Sequence, residues 1–129
     1  MIDHMGVAVS DAKRSKAFYE AALKPLGMKC LTEVPAEENG SGGAAYGFGV
    51  EGGGEFWVGD NERVGEGTHV AFRAETRAQV DAFYEAAIAA GGRDHGAPGL
   101  RPHYGPAYYA AFVFDPDGIN IEAVCYAAE

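Results

Sequence analysis

Two stretches decide the fold: Ala17-Phe18-Tyr19-Glu20-Ala21-Ala22 and its repeat, Ala82-Phe83-Tyr84-Glu85-Ala86-Ala87. They lie 65 residues apart, and the same offset carries Gly27 onto Gly92 and His4 onto His69. A shared helix composition could produce the six matching residues alone. The matching strand ahead of each helix makes duplication the better account.

Working outward, each copy reads as a strand, a helix and further strands. In the first, residues 4–9 are rich in β-formers, and Ser10 or Asp11 is placed to cap the helix that follows. Phe18, Ala22 and Leu26 recur at helical spacing, and Gly27 supplies the stop. Residues 28–34 read as a strand and 35–43 as a polar loop; 44–50 and 55–59 form a hairpin around Glu51-Gly52-Gly53-Gly54. Residues 60–66 link the copies, giving one module over 1–60 and a second over 66–127.

In the second copy, residues 68–74 are a strand and Thr76 caps a helix ending at Gly91-Gly92. A hairpin of 108–114 and 119–126 turns at Asp115-Pro116-Asp117-Gly118, where proline presets φ and glycine accepts a positive one. Residues 93–106 contain three prolines and read as a loop covering the cleft between the copies.

Bulk properties narrow the partners. The chain has 129 residues, enough for one domain with its own core. A net charge of −9 disfavours nucleic acid and anionic membranes, which would repel it. No apolar run approaches the roughly 20 residues that span a bilayer. Residues 1–4 show neither the basic nor the apolar part of a secretory signal. Cys30 and Cys125 sit in apolar runs and read as free thiols of a cytoplasmic protein.

Strand alternation sorts the side chains. Met5, Val7 and Val9 should pack on the helices, as should Val70, Phe72, Ile121 and Ala123. His4, His69 and Glu122 are then left together on the opposite face beside small neighbours. Two imidazoles and a carboxylate form a ligand set for a divalent metal (zinc, nickel, manganese or iron) with positions open to substrate or water. The duplication places Trp57, a non-ligand, at the counterpart of Glu122, where it would floor an apolar pocket. Arg73, pointing to the same face, suits an anionic substrate group. Arg101, His103, Tyr104 and Tyr109 form a basic and aromatic group suited to a lid that contacts substrate.

The chain resembles the vicinal oxygen chelate superfamily of glyoxalases, extradiol dioxygenases and bleomycin-binding proteins. The resemblance rests on His4-x-x-x-x-Val9-x-Asp11, Ser15-x-Ala17-Phe18-Tyr19, Gly67-Thr68-His69-Val70-Ala71-Phe72 and Asp115-Pro116-Asp117-Gly118-x-x-x-Glu122. It implies an α+β fold of two tandem βαβββ modules forming a half-open mixed β-barrel. It also implies a homodimer and a metal at His4, His69 and Glu122. The implied activity is metal-dependent lyase, isomerase or ring-cleaving dioxygenase chemistry on a small oxygenated substrate.

Departures count against individual reactions. Glyoxalase I carries a glutamate where this chain has Trp57, and arginines where it has Ala8 and Gly65; only Asn61 matches a glutathione contact. Extradiol dioxygenases carry a tyrosine where Phe112 stands. The alternative is a metal-free, small-molecule binding protein of the bleomycin-resistance type.

Overall fold

The computed structural model describes residues 3–38, 43–60, 63–65 and 68–128. Asn61 and Gly67 lie outside the described residues.

The first half contains β1 (His4–Ala8), α1 (Ala12–Leu23), β2 (Lys29–Val34), β3 (Ala45–Gly49) and β4 (Glu55–Gly59). The second contains β5 (His69–Arg73), α2 (Arg77–Ala89), β6 (Arg93–Leu100), β7 (Tyr109–Phe114) and β8 (Asn120–Cys125). Each half builds one four-stranded sheet, in the orders β1-β4-β3-β2 and β5-β8-β7-β6. The first strand pairs in parallel with the last, and the remaining pairs are antiparallel. Neither sheet closes, and the expected half-open two-module arrangement results.

The duplication survives in the registers. His4 faces Glu55 and Gly6 faces Trp57, while at the same offset His69 faces Asn120 and Ala71 faces Glu122.

Local chemistry sets the helix limits. The Asp11 side chain accepts from the Arg14 amide and Asp60 from the Ala12 amide, satisfying donors at the start of α1. A 3₁₀ turn over Lys24–Leu26 follows, and Gly27 ends it at φ 80°. Thr76 and Gln79 form a reciprocal capping box on α2.

The helices pack on each other and on one face of both sheets. Phe18 and its counterpart Phe83 are both fully buried there. Tyr19 is equally buried, and its hydroxyl donates to Asp115 (2.8 Å) in the β7–β8 turn, joining the halves. Asp117, in that turn, accepts from the Ser10 amide and pairs with Arg14. The Asp-Pro-Asp-Gly segment is thus a clamp as well as a turn.

Two expectations need correction. Residues 93–100 form a strand, β6, rather than part of a loop, and register breaks lie between Asp94 and Gly96 and between Gly96 and Gly99. β6 is an edge strand, where Pro98 falls in an irregular stretch and costs no interior ladder bond. Met5, expected in the core, is 37% exposed and lines an apolar groove with Phe56, Val70 and Phe72. No helix among the described residues is long and apolar enough to cross a membrane.

Candidate functional site

On the second sheet the non-helical face carries the chemistry. Parallel pairing of β5 with β8 sets Ala71 beside Glu122, and antiparallel pairing with β7 sets Phe112 on its other side. The small Ala71 leaves room for the His69 ring to reach Glu122. His69 Nε2 lies 2.9 Å from Glu122 Oε1, and Nδ1 lies 3.1 Å from the Asn120 backbone oxygen.

A backbone carbonyl only accepts, so Nδ1 is the donor in its contact with Asn120, and Nε2 faces the Glu122 carboxyl oxygen. The other Glu122 oxygen, Oε2, accepts a hydrogen bond from the Tyr108 hydroxyl. The Glu122 side chain is 2% exposed, and that of His69 is 41% exposed. Burial, followed by the bond to Glu122, pushes the Tyr108 hydroxyl well above its ordinary range, so it remains a donor.

These groups line a cavity of about 340 Å³ with Tyr104, Phe112 and Asn120. Tyr104 stands at its mouth, 63% exposed, with its ring 5.3 Å from Tyr108 and 4.2 Å from His103. Tyr126 packs on Tyr108 from another side, and the Arg73 guanidinium covers Tyr126 at 4.6 Å.

Other expected contacts fall elsewhere. The Arg101 guanidinium donates to the carbonyls of Ala97 and Gly99 (2.8 Å each) and stacks on Phe112, so it anchors the bulged strand. Tyr109 points toward α2, donating to Asp81 (2.6 Å) beneath Arg77. Its neighbour Tyr108, like Tyr104, lines the cavity. Alternation carried back from the Phe112–Glu122 pair selects Tyr108 over Tyr109.

His4 occupies a separate cavity of about 540 Å³, lined also by Asp3, Gly53, Gly54, Glu55 and Trp57. Its Nδ1 meets Asp3 at 2.7 Å, and the side chain is 66% exposed. Trp57 lies against Gly47, where a Cβ would come within 2.9 Å of the indole ring. Among the described residues, no three His, Cys, Asp or Glu side chains come together as a metal-binding group. One chain therefore brings His69 and Glu122 together and leaves His4 apart.

A family model described as the Glyoxalase/Bleomycin resistance protein/Dioxygenase superfamily matches residues 1–123. The chain belongs to this superfamily. Among solved members, it is similar to a glyoxalase/bleomycin resistance protein from Albidiferax ferrireducens T118. The two share 32% identity over 97% of this chain and 98% of the other, with a TM-score of 0.78. It also resembles a glyoxalase I mutant from Zea mays, at 26% identity and TM-score 0.73, covering 95% of this chain but 45% of the maize chain. No curated protein matches.

For this superfamily member, the His69–Glu122 pair provides a test of metal fit. An imidazole nitrogen and a carboxylate oxygen are donors that divalent ions take, and this histidine is braced through its second nitrogen, as ligating histidines are. The donor chemistry fits two of the three expected ligands.

Proposed function

We propose that the protein is a cytoplasmic, metal-dependent enzyme acting on a small oxygenated molecule, with a site completed by a second copy of the chain. Its chemistry would be of the lyase, isomerase or ring-cleaving dioxygenase kind. The buried Glu122 carboxylate held 2.9 Å from the braced His69 ring is the observation that carries this reading. Glu122 and His69 supply two ligands, and His4 of the second copy supplies the third. His4 stands on an exposed strand end, where another molecule can reach it.

A bound divalent cation would polarise a substrate oxygen and stabilise the negative charge that develops on it. The chain's own side chains do the rest. Asn120's carbonyl fixes the face that His69 presents. Phe112 and Tyr104 line the cavity, and Arg73, held over the Tyr126 ring, would receive an anionic substrate group.

A second reading is a metal-free binding protein. Trp57 takes the position of a fourth ligand, and Glu122 is already satisfied by His69 and Tyr108.

Mixing separates the readings. His4→Ala and Glu122→Ala each remove one ligand, but a mixed dimer retains one intact site. Random mixing should therefore restore about a quarter of the parental metal content, because half of the dimers are mixed and each keeps one of two sites. Elemental analysis of the parent, each variant and the remixed pair reads this directly. No metal in the parent after loading would favour the binding protein; no recovery on remixing would place all the ligands within one chain.

A further inference from the structure

Tyr108 enters the cavity from the tip that joins β6 to β7. That tip is closed by the Arg101 amide donating to the Tyr108 carbonyl (2.8 Å) and the Tyr108 amide donating to Gly105 (3.3 Å). The Tyr108 ring is wedged edge-on between Tyr104 and Tyr126, each 5.3 Å away, so its hydroxyl is delivered from a fixed direction. It donates to Glu122 Oε2, while Oε1 faces His69.

A carboxylate can rotate and offer either oxygen, or both. Here one oxygen is taken, and the other is aimed at the imidazole. We propose that Tyr108 is the positioning residue of this site: its hydroxyl commits Glu122 Oε2 and thereby sets Oε1 against His69 as the single oxygen offered to a ligand. The order of control is tip loop, tyrosine, carboxylate, imidazole, with the Asn120 carbonyl closing the far end. This assignment rests on reading the cavity as the functional site, and it holds with or without a metal.

The test is Tyr108→Phe, which keeps the ring and removes only the donor. Tyr126→Phe, which touches the same ring and donates nothing to Glu122, serves as the control for packing. The first readout is the pair of His69 ring N–H resonances in nitrogen-15-labelled, metal-free protein, visible only while both ring nitrogens are held. The second is cobalt(II) titration followed by visible absorption.

Parent and Y126F should show both ring signals; Y108F should lose them while keeping a folded amide spectrum. Cobalt affinity in Y108F should fall on the order of tenfold or more, the usual effect of removing a partner of a metal ligand, with a changed absorption envelope. Persistence of the ring signals in Y108F, or their absence in the parent, overturns the assignment, as does cobalt binding of parental strength in Y108F. A parent that binds no cobalt but shows the expected ring signals removes the metal reading and leaves Tyr108 in its role.

Discussion

Asp115 accepts hydrogen bonds from the Tyr19 hydroxyl and from the amides of Asp117 and Ile119. Burial raises its pKa, against the lowering effect of those bonds. The folded protein therefore holds this proton more tightly than the unfolded chain does. Stability from this group is present below the unfolded carboxyl range and lost as pH rises through the folded value. The stability of the parent relative to Asp115→Asn should accordingly fall with rising pH in that window and then level off. Urea melts at a series of pH values check this, and an opposite slope would mean that the hydrogen bonds outweigh burial. Asp115→Ala strands the buried Tyr19 hydroxyl and two amides, and should cost at least about 2 kcal/mol. A urea midpoint close to the parent's would show that water replaces the lost carboxylate.

At the scale of elements, β6 turns on Gly96. Its φ is 152°, and a Cβ there would come within 3.0 Å of both Arg101 and Phe112. Gly96→Ala should lose about 1–3 kcal/mol, whereas Pro98→Ala should stay within about 0.5 kcal/mol. Urea melts of the two variants distinguish a strained bulge from a passive one. Gly47→Ala tests the other sheet: the new methyl group must displace the Trp57 indole, the single tryptophan of the chain, and its emission should shift to the red. Unchanged emission would mean that the ring is not held flat against the strand.

These elements also show what was legible beforehand. Helix caps and the Asp-Pro-Asp-Gly hairpin depend on neighbouring residues, so they read directly from sequence. β6 did not, because its glycines, Pro98 and two register breaks erase the alternation that marks a strand. The face shared by His69 and Glu122 follows from alternation within one sheet. Whether His4 joins them depends on how two sheets without mutual strand hydrogen bonds are set, which periodicity does not encode. Tyr108 was within reach, since parity from Phe112 leads to it.

The whole molecule is held by contacts that cross between its halves. The packed α1–α2 pair, the Tyr19–Asp115 bond and the hold of Asp117 on the start of α1 leave neither half a core of its own. Trp57 fluorescence, which reports the first half, should melt in urea together with near-ultraviolet tyrosine dichroism, which draws on the second. Separated midpoints would show the halves unfolding independently. The two open sheets have a consequence for the life of the protein at high concentration. β2 is guarded by Lys29, Glu33 and a bulge, and β6 by proline and two bulges. β1 and β5 are open edges with little protection beyond their five-residue length. Once the molecule loosens, these become templates for strand addition between molecules, so heating should end in concentration-dependent precipitation before reversible melting is complete. A cell making much of this protein would then depend on chaperones to keep those edges covered.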